Sequence, residues 1–215
     1  MIIRTKSGEF RAHNASVLLD FLGVKEAAGV QKVAADVELI APISITKEQV
    51  TSNSEKEISG VAWTLSTFDL DRYDERIDPK GWDFKRYMLN PVVQWAHRYD
   101  IPAIGKIEGM TIDDDGLHGV VVFNGKEYDA FGWGIGQRVH AGVIRAGSVG
   151  FRPIEIEIPS KENGKDGTTL IFRKQELLEF SICNVPANPW ALANNKEQVT
   201  GNKASPFWGS LIHNQ

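Results

Sequence analysis

From Ile58 onward the chain alternates short apolar runs with polar, turn-rich breaks, which is the pattern of strands. ISGVAWTLS is the first strand candidate, and FDLDRYDERIDPKGW is a polar excursion ending in a Pro-Lys-Gly turn. DFKRYMLN reads as a short helix that stops at Asn90, because Pro91 disfavours helical geometry in the residue before it. VVQWAH is an apolar strand leading to His97, and AIGKIEGMTI and LHGVVVF add two more around the acidic turn DDDG. In KEYDAFGWGIGQRVHAGVIRAG, Phe131, Ile135, Val139 and Val143 recur at helical spacing despite four glycines between the first and last of them. SVGFRPIEIEI and LIFRKQELLEFSICNV then read as strands on either side of a polar hairpin, SKENGKDGTT.

The two ends differ from this pattern. The first stretch holds a short amphipathic helix around Val17 to Leu22, a strand-like VELIAPISI, and the polar linker TKEQVTSNSEKE at 46–57. After Asn194 the chain is polar or irregular apart from PFWGSLI. The expected organisation is an N-terminal extension and linker (1–56), one domain (57–193) and a C-terminal tail (194–215). Many short strands with one or two flanking helices predict a mainly β, α+β domain, with a closed or partly closed, mostly antiparallel β-barrel.

Composition narrows the function classes. At 215 residues, 42% hydrophobic and 24% charged, the chain matches an ordinary soluble globule. A net charge of −4 argues against a dedicated nucleic-acid binder. No apolar run approaches the roughly 20 residues of a membrane-spanning helix. MIIRTKSGEFRAH lacks the apolar stretch of a secretion signal. A lone cysteine, Cys183, excludes an internal disulfide and a multi-cysteine zinc site, so a reducing cytoplasm is expected.

Three residues stand out as candidate chemistry. Of five histidines, His13 and His213 lie in the extensions, His140 in the expected helix, and His118 at a strand start. His97 closes an apolar strand where a rigid element meets a loop, a common place for a catalytic side chain. Ser148 sits in AGSVG. Serine needs a base to become a nucleophile, and acyl transfer needs donors for the oxyanion. Gly147 and Gly150 would let a substrate backbone approach, and amides nearby would serve as donors. The plainer reading is a bend where helix gives way to strand. In ELLEFSICNVPANP, strand alternation puts Leu177, Glu179 and Ser181 on one face and Leu178, Phe180 and Ile182 on the other. A carboxylate embedded in such a strand needs a partner if buried. Glu179 is either a group orienting a histidine or an exposed residue of an edge strand.

Competing patterns are weaker. GWGIG lacks the spacing of a dinucleotide loop. DLDRYDERID lacks the glycine and terminal glutamate of a calcium loop. Cys183 with His97 would make a thiol protease, but a buried small hydrophobe is the reading preferred. Arg138, Arg145 and Arg152 crowd Ser148, either balancing acids or supporting an oxyanion.

Together, LNPVVQWAHRYDIPAIGK, AGVIRAGSVGFRP and LLEFSICNVPANPWAL, in that order, resemble the prohead maturation proteases of tailed bacteriophages. The resemblance spans about 57–193. It implies a barrel of the herpesvirus-assemblin type and a serine endopeptidase. His97 and Ser148 would match the family's histidine and serine, with Glu179 as the third member; Asp100 or His118 stay open for that third role. Arg145, with the Gly147 and Val149 amides, would support the oxyanion. No metal or organic cofactor is implied. The implied substrates are scaffold, the scaffold-like arm of the major capsid protein, and the enzyme itself, within the immature capsid in the host cytoplasm. No nucleic-acid or membrane partner is expected, and homo-oligomerisation stays open. The alternative is a non-enzymatic assembly protein that keeps the protease-like barrel.

Overall fold

In the computed structural model, residues 1–12, 14–25, 28–33, 36–43, 60–71, 73–160 and 166–184 are described. Two long strands organise them. β11 (Ala146–Ile158) and β12 (Leu170–Cys183) pair antiparallel along most of their length. The remaining strands are β1 (Ile2–Thr5), β2 (Gly8–Arg11), β3 (Gly29–Lys32), β4 (Glu38–Ile43), β5 (Val61–Ser66), β6 (Glu75–Ile77), β7 (Trp82–Asp83), β8 (Val92–Trp95), β9 (Gly105–Ile112) and β10 (Leu117–Phe123). All twelve join one sheet in the order β2-β1-β4-β11-β12-β8-β9-β10-β5, with β3 added to β11 and β6 and β7 to β12.

This is a mixed, open sheet, and it corrects the expected barrel. Closure requires the first and last strands to hydrogen-bond. β2 and β5 end the order, and no ladder among the described residues joins them. β6, β7 and β8 run parallel to β12, whereas the other ladders are antiparallel. Closure depends on contacts between distant strands, which alternation along each strand does not encode.

The first four strands, β1 to β4, are woven into this sheet. β4 pairs with β11 on the flank away from β12, and β1 pairs with β4. Helix α1 (Ala15–Leu22) is capped by Asn14, whose side chain accepts the Val17 amide at 3.0 Å, and by Gly23 in the left-handed region. It buries Leu18, Leu19 and Leu22. The linker expected at 46–57 and the tail from 194 lie outside the described residues.

Helix α2 (Ala130–His140) starts at the Asp129 cap and buries Ile135 and Val139. Phe131 packs edge-on against Trp95, while Val143 lies beyond the helix and is exposed. The helix expected in DFKRYMLN is only a 3-10 turn, Tyr87–Leu89, ending at Asn90. The core centres on aromatic contacts across the long strands: Trp63 on Phe180, and Trp82 and Phe172 on Phe151. Each such side chain contributes on the order of 1.5–3 kcal/mol by burial.

The register of β12 on β11 shifts at several points, and the shift beside Gly150 bears on the site. Gly150 pairs with Glu179 but Phe151 pairs with Leu177, so Leu178 is an extra residue. A bulge of this kind resets which face the following residues occupy. Leu177 therefore joins Phe180 and Ile182 in the core, and Leu178 is 40% exposed. The expectation that Leu177 shares a face with Glu179 and Ser181 is corrected for this reason.

Candidate active site

The register of three neighbouring strands assembles the site. Ser148 of β11 lies directly across from Ser181 of β12, and Ser181 lies across from Gln94 of β8. Cross-strand partners share a face, and Glu179, two residues before Ser181, shares it too. Ser148, Glu179 and Ser181 are all buried.

His97 reaches this face through an unusual turn. After β8, Ala96 and His97 adopt φ values of 51° and 59°. Left-handed backbone at a non-glycine residue costs about 1–3 kcal/mol, so the surroundings must hold it. The Ala96 amide donates to the Ile182 carbonyl at 2.8 Å, and the His97 amide donates to Ser181 Oγ at 3.0 Å. The turn lays the imidazole against β12, where Nδ1 is hydrogen-bonded to Glu179 Oε1. The other oxygen of Glu179 accepts from the Ser181 hydroxyl at 2.7 Å. With Nδ1 donating to the carboxylate, Nε2 carries the lone pair and can take a proton.

Three side chains that the sequence did not single out surround this pair. Glu38 of β4 accepts from the Tyr99 hydroxyl at 2.5 Å and from Arg4 Nη1 at 3.2 Å. Burial pushes the Glu38 carboxyl up, the nearby charge of Glu179 adds to this, and the Tyr99 and Arg4 hydrogen bonds oppose it. Burial likewise pushes the Tyr99 phenol up, with Glu179 and Glu38 adding to it. A cleft of about 460 Å³ opens beside His97, lined by Ile2, Arg4, Glu9, Ile40 and Tyr99 among others. Sequence separations of 34, 61 and 93 residues left no local signal for these contacts. Ser181 had one, since it follows Glu179 by two positions on a strand.

The glycines beside Ser148 do a different job from the one expected. A Cβ on Gly147 would lie 2.6 Å from the Phe180 ring and 3.1 Å from Trp63. A Cβ on Gly150 would lie 2.4 Å from Glu38 Oε1 and 2.6 Å from Glu179 Oε1. Gly147 therefore makes room for core aromatics and Gly150 for two carboxylates, where space for a substrate backbone was expected. Gly147 and Val149 lie in a stretch of β11 laddered on both flanks, to β4 and β12, which commits its amides to neighbouring strands. Arg145 precedes this stretch and is half-buried.

The other candidates sit elsewhere. Asp100 is paired with Arg98, and His118 is bonded to Asp113 and Thr64, so neither carries the contact to His97. Arg152 pairs with Glu176, and Arg138 donates to the Gly134 carbonyl of its own helix. GWGIG lies within α2. His140 closes α2, and His13 and His213 lie outside the described residues. Cys183 is buried, and burial with the charge of Glu179 pushes its thiol up to about 12. Among the described residues, no group of three or more His, Cys, Asp or Glu is arranged to hold a metal, and no helix is long and apolar enough to cross a membrane.

The family model described as Caudovirus prohead serine protease matches residues 43–204. Among solved structures, the chain is similar to the capsid assembly protease gp21 of bacteriophage T4. Identity is 14% and the TM-score 0.47, over 69% of this chain and 98% of that one. No curated protein matches the chain. The family match covers most of the 215 residues and includes β11, β12 and the His97 turn: the chain belongs to the Caudovirus prohead serine proteases.

Proposed function

We propose that the chain is a serine endopeptidase of phage capsid maturation, with Ser148 as nucleophile, His97 as general base and Glu179 as the acid that orients it. The observation that carries this reading is the His97 Nδ1–Glu179 hydrogen bond, on the strand that pairs Ser181 with Ser148. Ser148 Oγ attacks the peptide carbonyl while His97 Nε2 takes its proton, forming a tetrahedral intermediate. His97 then returns that proton to the departing amine as the peptide C–N bond breaks. Water, deprotonated by the same nitrogen, hydrolyses the acyl-enzyme. Glu179 holds the required tautomer and stabilises the imidazolium. The oxyanion needs donors outside the ladders of β11, and Arg145 is assigned that support in preference to the Gly147 and Val149 amides.

Family membership supports scaffold, or the scaffold-like arm of the major capsid protein, as substrate, together with self-cleavage, inside the immature capsid in the host cytoplasm. The test is co-expression of wild type or Ser148→Ala with the capsid protein of the same virus, followed by mass spectrometry. Trimmed capsid protein with wild type and intact protein with Ser148→Ala is the expected result. Equal trimming by both would sink the assignment, and no trimming by either would favour a non-enzymatic assembly protein.

A further inference from the structure

We infer that Arg4, Glu38 and Tyr99 form a clamp that positions His97, making the N-terminal ribbon part of the working site; the inference rests on His97 being the base. Arg4 Nη2 donates to the His97 carbonyl at 3.0 Å, and Nη1 donates to Glu38 Oε2 at 3.2 Å. Its guanidinium lies 4.5 Å from the centroid of the Tyr99 ring. Tyr99 in turn donates to the second oxygen of Glu38. Glu9 of β2 anchors the far side of the guanidinium through Nε and Nη2 at 2.8 and 2.6 Å.

The left-handed turn explains why a clamp is needed. At His97 the chain has left the β8 ladder: the Arg98 amide turns back to the Trp95 carbonyl at 3.0 Å, and the His97 carbonyl is the group that Arg4 takes. A guanidinium supplies a charge-assisted donor there. Its planar fork also holds the Glu38 carboxylate and stacks on Tyr99, two residues along the same loop, in one rigid arrangement. Glu38 approaches Glu179 over Gly150: a Cβ there would lie 2.4 Å from Glu38 Oε1 and 2.6 Å from Glu179 Oε1, too close for either to stay.

The charged and titratable groups around His97 come from five elements. They are Glu179 on β12, Glu38 on β4, Arg4 on β1, Glu9 on β2, and Arg98, Tyr99 and Asp100 on the loop itself. Arg4, Glu9 and Glu38 all precede residue 43, where the family match begins. The charged members of the clamp therefore lie outside the matched segment, and Tyr99 lies inside it. A ribbon used only to recruit capsid subunits would leave the chemistry at Ser148 indifferent to these side chains.

The experiment measures the second-order rate at which a small serine-directed fluorophosphonate labels Ser148 in the full-length chain, from pH 5 to 9. Such a probe needs no peptide recognition. Arg4→Ala is expected to slow labelling on the order of 10–100-fold, as displacement of a catalytic group does. Arg4→Lys should recover only part of this, because an ammonium cannot bond the carbonyl and carboxylate in the same fork. Glu38→Gln removes a negative charge beside the imidazolium, so the acidic limb of the profile should move to lower pH. Circular dichroism reports whether each variant is folded. Labelling of wild type with unchanged rate and limb in folded Glu38→Gln and Arg4→Lys would overturn the clamp and leave the proposed activity standing. If wild type labels no faster than Ser148→Ala, both readings fall together.

Discussion

Ser181 and Glu179 are locked to each other: the Ser181 hydroxyl donates to Glu179 Oε2 at 2.7 Å while its oxygen accepts the His97 amide at 3.0 Å. One fully buried hydroxyl therefore holds both the carboxylate and the strained turn of the histidine. Ser181→Ala leaves the His97 amide without its acceptor, which costs about 1–3 kcal/mol of stability. Steady-state kinetics should show kcat lowered by roughly 10–100-fold with KM little changed, since the loss is one of positioning. Restored activity in Ser181→Thr, which keeps the hydroxyl, would separate this role from simple packing.

The proposed division of labour among His97, Ser148 and Glu179 predicts a graded series. Ser148→Ala and His97→Ala should abolish cleavage of the capsid protein. Glu179→Gln should leave residual activity, lower by about ten-thousand-fold, because the amide stabilises neither the tautomer nor the imidazolium. Quantitative mass spectrometry of cleaved and intact capsid protein reads all three. An unchanged rate in Glu179→Gln would move the orienting role to another residue.

Gly147 and Gly150 should respond differently to the same methyl group. Gly147→Ala drives a Cβ into Phe180, and overpacking of this kind costs about 1–3 kcal/mol. Gly150→Ala drives it between Glu38 and Glu179, so activity should fall further than stability. Urea midpoints set against labelling rates at Ser148 compare the two. Equal activity loss in both variants would mean that crowding of the carboxylates does not matter.

Glu75 predicts how stability depends on pH. It is buried on β6, and burial first, then the charge of Asp71, push its carboxyl well above 4.5. In the unfolded chain it returns toward the ordinary glutamate value. Between these two values the native state binds more protons than the unfolded state, so this group's contribution to stability falls as pH rises through the window. Glu75→Gln should therefore flatten the decline of the urea midpoint with pH and be the more stable protein at the alkaline end. A midpoint lower than wild type throughout would show that the carboxyl is ionised in the fold.

Cys183 should be inert. A thiol buried at the end of β12 and pushed up to about 12 holds almost no thiolate at neutral pH. Iodoacetamide is expected to leave the folded protein unmodified and its activity intact, and to alkylate it fully in urea. Inactivation of the folded enzyme by the reagent would reopen a thiol mechanism.

The alternation of apolar and polar residues was enough to mark β5, β8 to β12 and α2, because each strand or helix buries one face and that face is written at period 2 or 3.6. Local order also placed Glu179 and Ser181 on a common face, and the neighbourhood of Pro91 ended the turn at Asn90. What alternation could not carry is anything set by one element against another. The edges at β2 and β5, unjoined among the described residues, follow from strands far apart in the chain failing to meet. The bulge at Leu178 follows from how β12 is stretched against β11, and it moved Leu177 into the core. The left-handed turn at His97 exists because Ile182, Ser181 and Arg4 satisfy its polar groups, and Arg4 lies 93 residues away. The sequence by itself determined the strands and the residue types available for chemistry. Only the tertiary structure decided their company, because hydrogen bonds and charge pairs between remote segments leave no periodic trace along the chain.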